Sequence, residues 1–302
     1  MRGFIDQAQF MTVLMHISIP PILFSLSLLL INHPLQAQPL FDAHLHYNRA
    51  HAQQFTPEQV IQKLQNNDIQ QALVTSSPPQ LAMDLHHQAP ERVLPMLGAY
   101  RTWQDKMNWY RDEQLPARIE AQLKHGGWRA IGELHLFAAD RHSPVFKRMI
   151  ELAGEYRLPL MLHADPAVID TLYEWSPHQV VIWAHAGTFP YPDLIADYLQ
   201  RYPQLYVDVS VRDRRIAPGG MLADDWYELF NRYPGRFLIG VDTFSPGRWQ
   251  HFDGAVDDIK AWLGQLPEAL RHHLAYGNAT RLFGRDTDSP DPAPRPSSGL
   301  DQ

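Results

Sequence analysis

The chain contains no cysteine among its 302 residues. That absence excludes disulfides, a thiol nucleophile, thiolate-bound zinc or iron–sulfur centres and a lipidated cysteine. It also removes the usual compositional guide to redox compartment. Positive charge is scarce: 26 Lys and Arg stand against 33 Asp and Glu, a formal net charge of -7. Such a balance leaves no electrostatic footprint for nucleic acid or for an anionic membrane surface, so no nucleic-acid partner is expected. The patterns G-x-G-x-x-G, G-x-x-x-x-G-K-[ST] and G-x-S-x-G are missing too, which argues against dinucleotide, P-loop and serine-hydrolase chemistry.

Long apolar runs are also lacking. Residues 17–31 (ISIPPILFSLSLLLI) are broken by Pro20 and Pro21 and fall short of the ~20 residues of a membrane span. They read as the core of a secretory signal peptide cleaved after Ala37. An uncleaved amphiphilic anchor is the rival, because Arg2 is the only leading cation and Asp6 offsets it. The expectation is an exported protein, periplasmic or secreted, with no stable membrane association once the leader is removed. At the other end, residues 286–302 are rich in Pro, Ser and Asp and read as a solvated, disordered tail.

What the sequence has in plenty is apolar residues, 45%, and 16 histidines. The first suffices for a packed core. The span left between leader and tail, 38–285, has the size of a (β/α)8 TIM barrel, about 250 residues. Short apolar runs predict eight strands: 40–46, 70–75, 93–99, 130–135, 158–163, 180–185, 205–210 and 237–242. Each is nearly continuous in Val, Ile and Leu, as for a parallel sheet covered on both faces. Helix openings lie between them at Thr56-Pro57, Ser143-Pro144, Asp165-Pro166 and Asp224. Eight alternations favour a closed single-domain α/β barrel over an open doubly wound sheet.

In such a barrel the C-terminal strand ends form the active face. The first strand ends in Asp42-Ala43-His44-Leu45-His46, where residues two apart share a face, so His44 and His46 can meet one ion. Glu133 lies on the fourth strand, His163 ends the fifth, His185 the sixth and Asp242 the eighth. Any one of these alone is more often an ordinary hydrogen-bonded residue. Five strands placing imidazole or carboxylate at one level is costly unless something binds there. The N/O donor set suits Zn²⁺, with Mn²⁺ or Fe²⁺ as alternatives.

Asp42-x-His44-x-His46, His163, His185 and Asp242 resemble the amidohydrolase superfamily of metal-dependent hydrolases. The segment Gly277-Asn278-Ala279-Thr280-Arg281-Leu282-Phe283 is similar to the ending of its amidohydrolase-related branch. The resemblance implies that His44, His46, His163 and Asp242 hold the main divalent ion. It implies that His185 is either the non-ligand histidine that polarises substrate or a ligand of a second ion. Glu133 stands where two-ion members carry a bridging group, so one ion is expected, with two as the alternative. The implied activity is hydrolysis of a small carbonyl substrate, a lactone, ester or amide, with Asp242 and His185 as catalytic groups. Non-oxidative decarboxylation is the alternative, and a TatD-like phosphodiesterase is the third reading, lowered by the net charge and by the closing motif. Arg101 and Arg212, in loops after the third and seventh strands, are the candidates for gripping a substrate carboxylate. Tyr47, Trp103, Phe189 and Trp249 are candidates for an apolar lining. His135 shares a strand face with Glu133 and carries no assigned role.

Overall fold

Each predicted strand pairs with its sequence neighbours, and every pairing is parallel. The computed structural model describes residues 38–102 and 104–284. The signal-peptide and tail readings, and Trp103, lie outside the described residues. The strands are β1 Leu40–His46, β2 Ile69–Thr75, β3 Val93–Leu97, β4 Ala130–Leu136, β5 Leu160–Ala164, β6 Val181–Trp183, β7 Leu205–Asp208 and β8 Phe237–Leu238. They form one sheet in the order β1 to β8. The sheet curls into a barrel: the amide of Ala43 donates to Ile239 O at 2.8 Å and that of Asp242 to His44 O at 2.8 Å. The buried Asp42 carboxylate adds to this seam, accepting from the backbone of His44 at 3.0 Å and of Val241 at 3.2 Å.

One principal helix follows each strand: α1 Pro57–Asn66, α2 Gln80–Gln88, α3 Leu115–Leu123, α4 Pro144–Glu155, α5 Pro166–Trp175, α6 Pro192–Arg201, α7 Asp224–Arg232 and α8 Phe252–Leu263. Local sequence explains their starts. Thr56 caps α1 in a box with Gln59, and Ser143 caps α4 by accepting from the amide of Phe146. Asp165 is different. It precedes α5 but makes no cap; its carboxylate instead accepts from the amide of Ala138 and the hydroxyl of Thr188, tying two active-face loops together. Asp224 is the first residue of α7 rather than its cap. On α4, Val145, Phe146, Met149, Ile150, Leu152 and Ala153 are buried, the one-faced stripe of a helix laid on a sheet.

Two apolar clusters result. The larger fills the space between sheet and helices. The smaller takes Phe41, Leu73, Met96, Ala130, Met161, Ile182 and Leu238 from seven strands, so it occupies the barrel interior. The closing helix Asn278–Phe283 supplies Ala279 and Phe283 to that cluster, with Phe283 stacked on Phe41 at 5.7 Å. Asn278 and Arg281 anchor this helix to the entry of β8 through the carbonyls of Pro234, Phe237 and Gly235. These are packing roles.

Four strands are shorter than predicted at their C-terminal ends. β6 stops at Trp183 and β8 at Leu238. His185 and Asp242 therefore sit on irregular turns and not on strands. Both adopt left-handed backbone, φ 58° and 53°, a conformation that sequence periodicity does not announce.

Candidate metal centre

The groups expected at the barrel mouth do converge. His44 is fully buried, and Glu133 and Asp242 are 5% and 4% exposed. Two carboxylate oxygens lie beside the paired ring nitrogens of His44 and His46. His44 Nε2 is 3.2 Å from His46 Nε2, 3.8 Å from Asp242 Oδ1 and 3.7 Å from Glu133 Oε2. His46 Nε2 is 3.3 Å from Asp242 Oδ1 and 3.5 Å from Glu133 Oε2. Two ligands on one tetrahedral ion at ~2.0–2.1 Å stand about 3.3 Å apart. The observed spacings scatter around that edge length.

Three further observations say that this cage is made for a cation. His44 Nδ1 lies 2.8 Å from the Asp208 carboxylate. That places its proton on Nδ1 and leaves the Nε2 lone pair aimed at His46. Asp242 Oδ1 is buried with no hydrogen-bond partner, a cost of ~1–3 kcal/mol or more unless a cation meets it. Finally, burial lowers the basicity of His44, but Asp242, Asp208 and Glu133 together raise it well above the usual imidazole range. A field that draws a proton so strongly draws a divalent ion by the same means.

A second set of contacts lies on the far side of Glu133. Its Oε1 is 3.1 Å from His163 Nδ1 and 3.1 Å from His185 Nε2. Burial alone would neutralise Glu133, but His135 and His44 hold its carboxyl well below the usual range. His185 Nδ1 donates to Ser210 Oγ at 2.9 Å, and Ser210 donates in turn to Asp208 at 2.6 Å. One buried carboxylate, Asp208, thus orients both His44 and His185.

His163 is not among the donors around His44, His46 and Asp242. It groups with Glu133 and His135, while His44 also groups with Glu133 and His185. Glu133, on the central strand of this arc, belongs to both sides. Its aim depends on Gly132, which has φ 148° and whose Cβ would lie 2.7 Å from Met161 O.

The arginines have other employment. Arg101 is exposed and pairs with Asp105 at 3.4 Å. Arg212 donates to His185 O at 2.7 Å and Gly187 O at 3.1 Å, bracing the left-handed turn that carries His185. Arg248 does the same for the other turn, donating to the carbonyls of Asp242 and Val241. Tyr47 and Trp249 are buried, and Trp249 Nε1 donates to His46 O at 2.9 Å, so these rings pack and support. Phe189 is exposed.

Asp208, Ser210 and Thr243 carry no distinguishing local pattern. Thr243 Oγ1 accepts the amide of His46 and donates to its carbonyl. His135 had a signal, its i+2 spacing from Glu133, and it does reach the cluster, 3.5 Å from Glu133 Oε2. Burial pushes its basicity down to about 3.

Comparison with known proteins agrees with this fold. Residues 41–187, from β1 to the turn carrying His185, match the family model described as TatD related DNase. No curated protein sequence matches the chain. A probable 2-pyrone-4,6-dicarboxylic acid hydrolase from Acinetobacter baumannii, with citric acid bound, superposes with a TM-score of 0.58 at 16% identity, over 82% of this chain and 99% of that one. An amidohydrolase from Burkholderia multivorans with bound zinc gives 0.54 at 14%, over 81% and 99%. A TatD homologue from Escherichia coli gives 0.58 at 15%, over 81% and 97%. At these identities the likeness is one of fold. The chain has the (β/α)8 TIM-barrel fold, the architecture it shares with these hydrolases.

Proposed function

We propose that the barrel is a metal-dependent hydrolase acting on a small carbonyl compound, a lactone, ester or amide. The observation that carries this reading is the convergence of His44, His46, Asp242 and Glu133 at ligand spacing around the unpartnered Asp242 Oδ1. Zinc is the ion we assign, because imidazole and carboxylate at these spacings fit it and the Burkholderia neighbour binds it. A divalent ion held by these residues would polarise a carbonyl oxygen and bring water into its ionising range near neutral pH.

The chain's own residues then divide the work. Asp242 turns Oδ1 toward His44 and His46, and its Oδ2 stands 3.7 Å from His185 Nε2. Oδ1 would hold the ion, and Oδ2 would accept a proton from the attacking water and return it to the leaving group. His185, held by Ser210 and by Arg212 at its carbonyl, faces the developing oxyanion. The substrate is a small molecule.

Phosphodiester hydrolysis is the second reading, favoured by the TatD family match over 41–187. One experiment separates the readings. The purified protein is assayed for metal content and screened against lactones, esters, amides, aromatic carboxylates and phosphodiesters. Carbonyl hydrolysis is expected. Release of CO2 without uptake of water would select a decarboxylase, and cleavage of single-stranded DNA would select the TatD chemistry. Asp242→Asn should keep part of the metal and lose at least ~10²-fold in turnover; near-normal turnover would remove Asp242 from its role. We also propose export with removal of residues 1–37. A mature N-terminus at Gln38 in exported material tests it. Among the described residues no helix is long and apolar enough to cross a membrane.

A further inference from the structure

We propose that Nε2 of His135 is a ligand of a second divalent ion, beside Glu133 and His163. The inference rests on the metal-dependent reading above, and adds a ligand that the resemblance to known barrels does not supply.

His135 and Glu133 are two apart on β4, so both side chains project to the same side of the strand. His135 Nε2 lies 3.5 Å from Glu133 Oε2. That is too long for a charge-assisted hydrogen bond, which runs ~2.7–2.9 Å, and close to the edge between two donors on one ion. Its ring stacks on His163 at 4.5 Å and 20°. Donor atoms of Glu133, His135 and His163 all lie within 4.8 Å of one another.

The ring is also held as a ligand must be. A ligating imidazole needs a partner on its other nitrogen. His135 Nδ1 has Tyr100 Oη at 3.2 Å, and the same Oη accepts the backbone amide of His135 at 2.7 Å. The hydroxyl is therefore positioned by the residue whose ring it orients. Trp109, itself buried, fixes the carbonyl of His135 through Nε1 at 2.7 Å.

Three imidazoles, those of His135, His163 and His185, gather on the single Glu133 carboxylate, His163 and His185 at Oε1 and His135 at Oε2, the oxygen that also faces His46.

The test is a Zn²⁺ titration of the full chain after chelation, followed by calorimetry and by elemental counting. The wild type should take up two ions. His135→Gln, which keeps the ring's volume approximately, should retain the first ion with unchanged affinity and bind the second at least tenfold more weakly. Tyr100→Phe, which removes only the partner of Nδ1, should weaken the second ion in the same direction and serves if His135→Gln does not fold. Two ions bound by His135→Gln with wild-type affinities would overturn the proposal. So would a wild type that binds one ion, an outcome that leaves the hydrolase reading intact. A wild type that binds none would overturn both.

Discussion

Asp208 shows how much of the centre is carried by a residue that touches no expected substrate. It is fully buried, bonds His44 Nδ1 at 2.8 Å, and receives Ser210, which bonds His185. Burial opposes its ionisation, but His44 and His185 keep its carboxyl below the ordinary range. We expect Asp208→Ala to lower metal affinity 10–100-fold, as for other carboxylates behind ligand histidines. Metal titration of the variant measures it; an unchanged affinity would mean that His44 is oriented by something else. In sequence Asp208 reads as one more interior strand residue. Its importance comes from a partner 164 positions away. Arg212 taught the converse. A loop arginine suggests a grip on substrate, yet its Nε and one terminal nitrogen are bound to backbone carbonyls of the His185 turn.

At the scale of elements, the seam between β1 and β8 is the sensitive part. A Cβ on Gly240 would lie 2.8 Å from His44 Cβ and 3.0 Å from His44 N. Gly240→Ala should therefore destabilise the fold by about 1–3 kcal/mol and displace a ligand at the same time. Denaturant unfolding of the chelated protein reads the first effect and Zn²⁺ titration the second. On the outer layer, Asp170 of α5 receives the hydroxyls of Tyr198 and Tyr202 at 2.6 Å and Arg201 at 2.8 Å. Burial raises its pKa, but these donors outweigh burial and hold the carboxyl below its ordinary value. A depressed carboxyl stabilises the fold above its unfolded pKa, ~4, and loses that contribution as pH falls through the folded value. Because the side chain is 42% exposed, the effect of Asp170→Asn should stay within ~1 kcal/mol. Melting curves should separate the variant from the wild type at pH 7, and the gap should narrow as pH falls below the unfolded pKa. A gap that persists at low pH would assign the loss to packing.

For the whole molecule, ion binding and folding are one equilibrium. A ligand at 100 times its Kd stabilises by about 2.7 kcal/mol, which for a domain of this size is about 5–10 °C in Tm. Chelation should lower Tm by that order. Burial pulls the basicity of His44 and His46 down, yet the neighbouring carboxylates leave both raised. Protons therefore compete with the ion as pH falls, and affinity rises with pH. The chelator-induced drop should be large at pH 8 and small at pH 5; a drop independent of pH would place the ion on groups other than these imidazoles.

The sequence alone determined the eight-fold alternation, the barrel class and the level at which His44, His46, Glu133, His163, His185 and Asp242 meet. Those properties depend on short-range patterns: apolar runs with turn signals between them, Thr56 and Ser143 as caps, and the two-residue period of a strand. Tertiary structure decided the rest. It ended β6 and β8 early and put His185 and Asp242 on left-handed turns braced by Arg212 and Arg248. It divided the donors between the two oxygens of Glu133 and brought His135 to their edge. Those outcomes depend on contacts between residues far apart in sequence, such as Asp242 with His46 and Trp249 with His46, which only closure of the barrel brings within reach.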